Sequence, residues 1–188
     1  MSVPGGSTRF FIHRGNLALL WCLLNNIDTI IELPRQNYKT QSFLCLMEWI
    51  YDFNTTNSEV NFLHKKYEDS KLNLDRLKKI RELLPKYLLP PVSKSDSYNL
   101  TNISNSRGNS IIAKNAAISE EQADLLGRGN TSPMSFYDEV GFIKFLETIY
   151  TAASPAQSQA ALEAEERGKP HFKAFLTTPG NTFSPHGK

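Results

Sequence analysis

The amino-acid sequence predicts an all-α protein, with a small helical domain, a Ser/Asn-rich linker, C-terminal helices and a tail. The main observation is the segment from Thr40 to Asn54, which is apolar on nearly every side when wound as a helix. Such a helix is surrounded by other elements rather than lying on a surface. Apolar residues at helical spacing flank this segment, and helix-capping residues recur in the C-terminal half. We therefore expect Thr40 to Asn54 to form the hub of a helical domain.

Length and composition set broad limits on the class of protein. The 188 residues fit one domain of ordinary size, or a domain with tails. A hydrophobic fraction of 40% and an aromatic fraction of 11% are sufficient for a packed core and exclude a wholly disordered chain. The net charge is only +2, so no global field favours nucleic acid or an anionic membrane.

The first helical element covers the residues before the hub. Apolar positions from Leu17 to Ile31 recur at helical spacing. Asn25 and Asn26 interrupt the pattern, so a shorter helix followed by a strand from Thr29 to Leu33 is the alternative. Together with the hub, the longer helix predicts an antiparallel helical hairpin.

An amphipathic helix or helix pair is predicted over residues 57–84, because apolar positions at near-heptad spacing alternate with charged ones. Pro85 ends this element, since a proline inside a helix loses a hydrogen bond and clashes with the preceding turn. Residues 9–91 then form the helical core domain. Ser and Asn dominate the following stretch, so residues 92–117 are predicted to be a flexible linker or loop.

The C-terminal half is predicted to contain helices over residues 118–168. Ser119 opens a short helix with a capping box. The Ser–Pro pairs at 132–133 and 154–155 each predict a further helix start, because proline is well tolerated in the first helical turn. Residues 169–188 show no helical or strand period and are predicted to be a tail.

Catalytic and metal-binding motifs are missing from the sequence. It contains no G-x-S-x-G, no phosphate-binding G-x-x-x-x-G-K-[ST] and no H-E-x-x-H. Glu48 and Asp52 lie one helical turn apart, as acid–base pairs do, but we interpret them as the solvated edge of the hub helix. The sequence therefore predicts a protein that is not an enzyme, with no catalytic residues, cofactor, metal or small-molecule substrate.

A basic segment gives the alternative function. Residues 64–86 carry eight Lys or Arg against four Asp or Glu, with a local cluster at Lys78, Lys79 and Arg81. Such side chains can neutralise phosphates, so a nucleic-acid-associated accessory protein is the alternative. Acidic residues on the same segment are more typical of an ordinary surface helix, and nucleic acid is therefore a disfavoured partner.

Elimination leaves protein–protein interaction as the preferred function. We predict a non-enzymatic adaptor or chaperone-like subunit that binds other proteins in a cytoplasmic hetero-complex. The competing interpretation is that the same apolar residues complete the chain's own core. The candidate protein-binding residues are Phe142, Phe145, Ile149, Phe172 and Phe175.

The sequence also bears on localisation. The apolar run from Leu17 to Leu24 is far shorter than the roughly 20 residues that span a bilayer, so no membrane span is expected. A secreted effector with a C-terminal delivery tail is a third and weaker functional hypothesis.

Overall fold

The computed structural model shows a mixed α/β fold. The described residues are 2–3, 7–8, 11–34, 37–114, 117–129 and 131–179. A six-stranded, mostly parallel β-sheet lies between two layers of helices. The predicted all-α class is therefore wrong, because the buried segments around Phe62 and Phe136 pair as strands.

The strands of the described residues are β1 (Ser2–Val3), β2 (Ser7–Thr8), β3 (Thr29–Glu32), β4 (Glu59–His64), β5 (Asn102–Ser104), β6 (Ser110–Lys114), β7 (Met134–Asp138) and β8 (Phe172–Thr177). The sheet order is β3-β8-β7-β4-β6-β5, in which β5 is antiparallel to β6 and all other neighbours are parallel. The carboxyl ends of the five parallel strands consequently meet at one edge of the sheet. A separate antiparallel pair joins β1 and β2.

Within the described residues, five α-helices cover the sheet. A π-helical turn, Ile50–Asn54, continues the second of them, and 3-10 turns form at Lys86–Leu88 and Val140–Phe142. Across the described ranges, none of the helices has the length and apolar character needed to span a membrane. The helices are α1 (Arg14–Leu24), α2 (Lys39–Trp49), α3 (Tyr67–Glu82), α4 (Glu120–Arg128) and α5 (Leu146–Glu166).

The central strands are buried on both faces of the sheet. Phe62 and Phe136 pack in the same core as α1, α2 and α3. The next residues along the two strands, Leu63 and Tyr137, pack in a second core with α4 and α5. Side chains of a strand alternate between the two faces, so strands covered on both sides are apolar throughout. Such runs resemble buried helices in sequence.

Several predicted elements differ from the observed ones. The alternative for the first segment is confirmed, because α1 ends at Leu24 and β3 follows it. The element predicted as helical over residues 57–84 begins with the strand β4 and becomes helical only in α3. Strands β5 and β6 lie within residues 92–117, and β8 lies within residues 169–188.

The C-terminal helix starts are partly as predicted. Ser119 caps α4, where its side chain accepts a hydrogen bond from the backbone N–H of Gln122. The Ser–Pro pair at 132–133 precedes the strand β7 instead of a helix, since the next five residues are all buried in the sheet. Pro155 lies inside α5, which begins earlier, at Leu146.

Candidate active site

A cavity of about 590 Å³ opens at the edge where the parallel strands end. It is lined by the start of α2, the ends of β4 and β7, and one face of α3. In open α/β sheets, ligands bind in the crevice outside the carboxyl ends of the strands. The volume is in the range of small-molecule sites. This edge is therefore the candidate ligand-binding site.

The loop from β3 into α2 delivers a cation to the cavity. Tyr38 precedes the helix in the left-handed conformation, with φ of 53°, and Lys39 and Thr40 begin the first turn. The Lys39 side chain is only 7% exposed. The N-terminus of a helix presents unpaired N–H groups and favours anions. A lysine at this position adds a full positive charge to the same point.

The end of β7 delivers two carboxylates. Asp138 is the last residue of the strand and is 1% exposed. Its Oδ2 accepts a hydrogen bond of 3.0 Å from Thr40 Oγ1, and its Oδ1 accepts one of 3.1 Å from the backbone N–H of Glu139. Burial raises the pKa of Asp138, and the nearby His64 and the bond from Thr40 oppose that rise. The contact joins the starting turn of α2 to the end of β7.

Glu139 is held on both carboxylate oxygens. Its Oε1 lies 3.6 Å from Lys39 Nζ, and its Oε2 accepts a hydrogen bond of 2.8 Å from Thr178 Oγ1. Thr178 follows β8, which lies between β3 and β7 in the sheet. Glu139 itself has φ of 58°, a strained conformation for a residue other than glycine. The start of α2 and the ends of β7 and β8 thus fix a single carboxylate.

His64, the last residue of β4, lies beside Asp138 in the parallel register. Its Nε2 is 3.9 Å from Asp138 Oδ2, and its Nδ1 is 3.3 Å from Asp69 Oδ2 without hydrogen-bond alignment. Burial lowers the pKa of His64, and Asp138 and Asp69 oppose that change. The imidazole connects the fourth strand end to the acidic centre.

This arrangement matches the parts of a phosphate-binding loop but not its consensus. In nucleoside triphosphatases of the P-loop type, a Lys and a Ser or Thr begin a helix, and an Asp on a neighbouring strand completes the magnesium site. Lys39 and Thr40 occupy those positions here. At the positions of the two consensus glycines this chain has Leu33 and Tyr38, so the sequence does not contain G-x-x-x-x-G-K-[ST].

Two features of the sequence mark the site once the strands are known. Lys39 and Thr40 start a helix directly after a short strand, and Asp138 and Glu139 directly follow a buried apolar run. Neither pair is diagnostic alone, because Lys-Thr and Asp-Glu are common dipeptides. The register of the parallel sheet is what brings them together.

The oxygen donors fit a magnesium ion. Mg²⁺ is usually held by one or two carboxylates, with substrate phosphates and water completing the shell. Thr40 and Asp138 supply a hydroxyl and a carboxylate in direct contact. Among the described residues there is no cluster of three or more His, Cys, Asp or Glu side chains that would hold a metal alone. The donor set therefore suits an ion that arrives with a phosphate ligand.

Comparison of the sequence with known proteins is uninformative. No protein-family profile matches the sequence, and no curated protein is significantly similar to it. The fold, in contrast, has clear counterparts among solved structures.

The mixed α/β fold is similar to that of solved large terminases, one of which is an ATPase domain. The HK97 bacteriophage large terminase superposes with a TM-score of 0.63 and 13% identity, over 94% of this chain and 35% of that one. The large terminase ATPase domain of a Thermus phage gives 0.62 and 15%, over 94% and 68%. A large terminase of a thermophilic bacteriophage in complex with ADP gives 0.63 and 14%, over 94% and 41%. This chain thus spans about a third of the HK97 protein.

These findings correct the functional predictions. A non-enzymatic adaptor or chaperone-like subunit, and the prediction that the chain is not an enzyme, are contradicted by a fold shared with ATPase domains. The failure of the sequence to predict an enzyme has a physical reason. The side chains of the site lie on strands and loops that are distant in sequence, so no local motif predicts them.

Most of the predicted protein-binding residues pack against other parts of the same chain. Ile149 and Phe172 are buried in its two cores, and Phe175 is half-buried and stacks on a ring of β7 at 4.9 Å. Phe142 is half-buried beneath a lysine, and Phe145 is 39% exposed. None of the five lines the cavity at the sheet edge. Binding of another protein by these residues remains a prediction.

The predicted basic cluster is largely neutralised on α3. Lys79 Nζ lies 2.8 Å from Asp75, and Arg81 Nε donates to Asp52 at 2.8 Å. Lys78 is buried and donates to a backbone carbonyl. Contact of these residues with nucleic acid also remains a prediction.

Proposed function

We propose that this chain is an ATP-hydrolysing domain of the P-loop type. The observation that carries the proposal is the hydrogen bond between Thr40 and Asp138 at the mouth of the cavity. Lys39 and Glu139 lie beside this bond and form a second contact between the same two elements. A lysine and a hydroxyl at the start of a helix, with acidic side chains at the end of a neighbouring strand, are the groups that bind and cleave a nucleoside triphosphate.

Binding is assigned to the start of α2. The β- and γ-phosphates lie against the first-turn N–H groups, where the helix dipole and Lys39 both favour negative charge. Thr40 and Asp138 would hold the magnesium ion, which would supply positive charge to neutralise the phosphates. Lys39 exchanges Glu139 for phosphate oxygens when the nucleotide binds.

Hydrolysis is assigned to Glu139. The oxygen of a water molecule attacks the γ-phosphorus, and the bond from that phosphorus to the β–γ bridging oxygen breaks. ADP leaves with the electron pair of that bond, and a proton of the water passes to the Glu139 carboxylate. The hydrogen bond from Thr178 to Oε2 keeps this carboxylate in a fixed orientation.

The structural counterparts support this proposal through fold alone. They include a domain described as an ATPase and a large terminase solved with ADP. Because this chain spans only part of the full-length proteins, a terminase-like activity and partnership with other proteins are further parts of the proposal.

Three variants test the proposal. We expect Lys39→Ala to weaken binding of a fluorescent ATP analogue, in the presence of Mg²⁺, by at least about tenfold, because a charge-assisted contact to phosphate is lost. Glu139→Gln is expected to retain binding and to lower phosphate release at least about 100-fold. Lys79→Ala, an exposed lysine on α3, is the matched control. Absence of nucleotide binding by the wild-type protein would contradict the proposal.

A further inference from the structure

The wall of the cavity formed by α3 has no role in the assignment above. We propose that Arg76 binds the γ-phosphate and so makes the site prefer nucleoside triphosphate over diphosphate. This inference rests on the proposed function and assigns a further residue to the same site.

The position of Arg76 follows from helical spacing. Asp69, Leu72, Asn73 and Arg76 all line the cavity, and their spacings of three and four place them on one face of α3. Lys39, at the start of α2, lines the same cavity. A nucleotide bound there lies between Lys39 on one wall and Arg76 on the other, although the α3 wall also carries the carboxylate Asp69.

Arg76 differs from the other basic residues of α3. Lys71, Lys79 and Arg81 each form an ion pair with a carboxylate, and Lys78 is buried with its ammonium on a backbone carbonyl. No carboxylate in the described parts of the chain lies within ion-pair distance of Arg76. Its positive charge is thus left for a ligand.

The guanidinium of Arg76 is already oriented. Its Nη1 donates a hydrogen bond of 3.0 Å to Oδ1 of Asn73, and Asn73 is only 3% exposed. A guanidinium has five N–H donors in a planar fork, so this bond leaves donors for phosphate oxygens. Holding the side chain in advance lowers the entropy lost on binding.

The order of the strands indicates which phosphate Arg76 contacts. The strand β7, which carries Asp138, lies between β8 on one side and β4 on the other. The phosphate chain begins at α2, which follows β3 on the β8 side, while α3 follows β4 on the opposite side. The terminal phosphate must reach Glu139 to be cleaved and is therefore the one nearest to α3. A diphosphate lacks this group.

The test compares two nucleotides. Dissociation constants are measured with Mg²⁺ for ADP and for the non-hydrolysable imido analogue of ATP. In Arg76→Ala, we expect the preference for the triphosphate analogue to fall at least about tenfold, since a charge-assisted contact is lost only with the γ-phosphate. Arg76→Lys should retain part of the preference because the charge remains. Lys79→Ala should leave it unchanged.

The outcomes separate the two proposals. Equal weakening of both nucleotides by Arg76→Ala, or no change in either, would overturn the role of Arg76 while the nucleotide site stands. Failure of the wild-type protein to bind either nucleotide would overturn the site and the role of Arg76 together. An unchanged melting temperature of Arg76→Ala shows that its effect is on the site.

Discussion

Thr40 Oγ1 lies 3.0 Å from Asp138 Oδ2, although the two residues are separated by 98 positions in the sequence. The bond joins the first turn of α2 to the last residue of β7. It is possible because β3, which leads into α2, and β7 are parallel to the same intervening strand, β8. Their carboxyl ends therefore meet. In the proposed function, a hydroxyl and a carboxylate placed in this way form the protein part of a magnesium–phosphate site.

Replacing the carboxylate of Asp138 tests this centre. In Asp138→Asn, the amide oxygen still accepts the bond from Thr40, but the negative charge proposed to bind Mg²⁺ is lost. We expect phosphate release to fall at least about 100-fold and the Mg²⁺ concentration needed for half-maximal rate to rise. Asp75→Asn, which changes a carboxylate on α3 outside the cavity, is the control. An unchanged Mg²⁺ dependence would show that Asp138 does not bind the ion.

The backbone at Tyr38 is a second testable feature. Its φ of 53° is in the left-handed region, which costs about 1–2 kcal/mol for a residue with a Cβ atom. Tyr38→Ala removes the side chain but keeps this strain, whereas Tyr38→Gly removes both. We expect the glycine variant to be about 1 kcal/mol more stable than the alanine variant in chemical unfolding. Equal stability of the two variants would mean that the backbone relaxes when the tyrosine is absent.

The helices were predictable from sequence more readily than the sheet. Capping at Ser119 and the apolar residues of the hub follow local rules, and α4 and α2 are present. The sequence predicts helices around Phe62 and Phe136, because strands buried on both faces lack the alternation that distinguishes a strand from a buried helix. The pairing of parallel strands is set by contacts distant in sequence.

The candidate site was not predictable from motifs. Its Lys39-Thr40 pair is not preceded by either glycine of the consensus. Its carboxylates lie at the end of β7, in a segment for which the sequence predicts helices. Only the sheet order reveals that these groups meet. The alternative strand at Thr29–Leu33 is the sequence prediction that places a strand directly before the helix that Lys39 begins.

Gly127 provides a test of the packing between α4 and α5. A Cβ atom added there would lie 2.5 Å from the carbonyl oxygen of Ile149 and 2.6 Å from Cβ of Ala152. We expect Gly127→Ala to lower the free energy of unfolding by about 1–3 kcal/mol, because the two helices must move apart. Gly129→Ala is the matched control, since its nearest atom is 3.6 Å away. A neutral Gly127→Ala would indicate that α5 shifts at no cost.

Glu48 and Asp52 lie on the far part of α2 and its π-helical turn, away from the cavity. Their interpretation as a solvated edge is wrong, because they are 2% and 1% exposed. Asp52 accepts hydrogen bonds from Arg81 and Asn105, whereas neither carboxylate oxygen of Glu48 accepts one within the described structure. Burial, followed by the neighbouring Asp52, raises the pKa of Glu48 to about 9. At neutral pH, Glu48 is therefore protonated and can donate to Asp52.

This pKa makes stability depend on pH with a defined sign. Below the ordinary pKa of 4.5, Glu48 is protonated in both the folded and the unfolded chain. As pH rises from there to about 9, the unfolded chain loses this proton while the folded chain keeps it, so the folded state is progressively disfavoured.

Glu48→Gln removes this linkage, because the amide is neutral at every pH and can still donate to Asp52. We expect the stability of the variant, measured relative to wild type by urea unfolding, to increase by about 4 kcal/mol between roughly pH 5 and pH 8, since each of these three pH units corresponds to about 1.4 kcal/mol. Glu166→Gln changes an exposed carboxyl group and should show no such trend. If the stability difference between Glu48→Gln and wild type stays constant across this range, Glu48 is ionised in the folded protein, and Arg81 then neutralises both carboxylates.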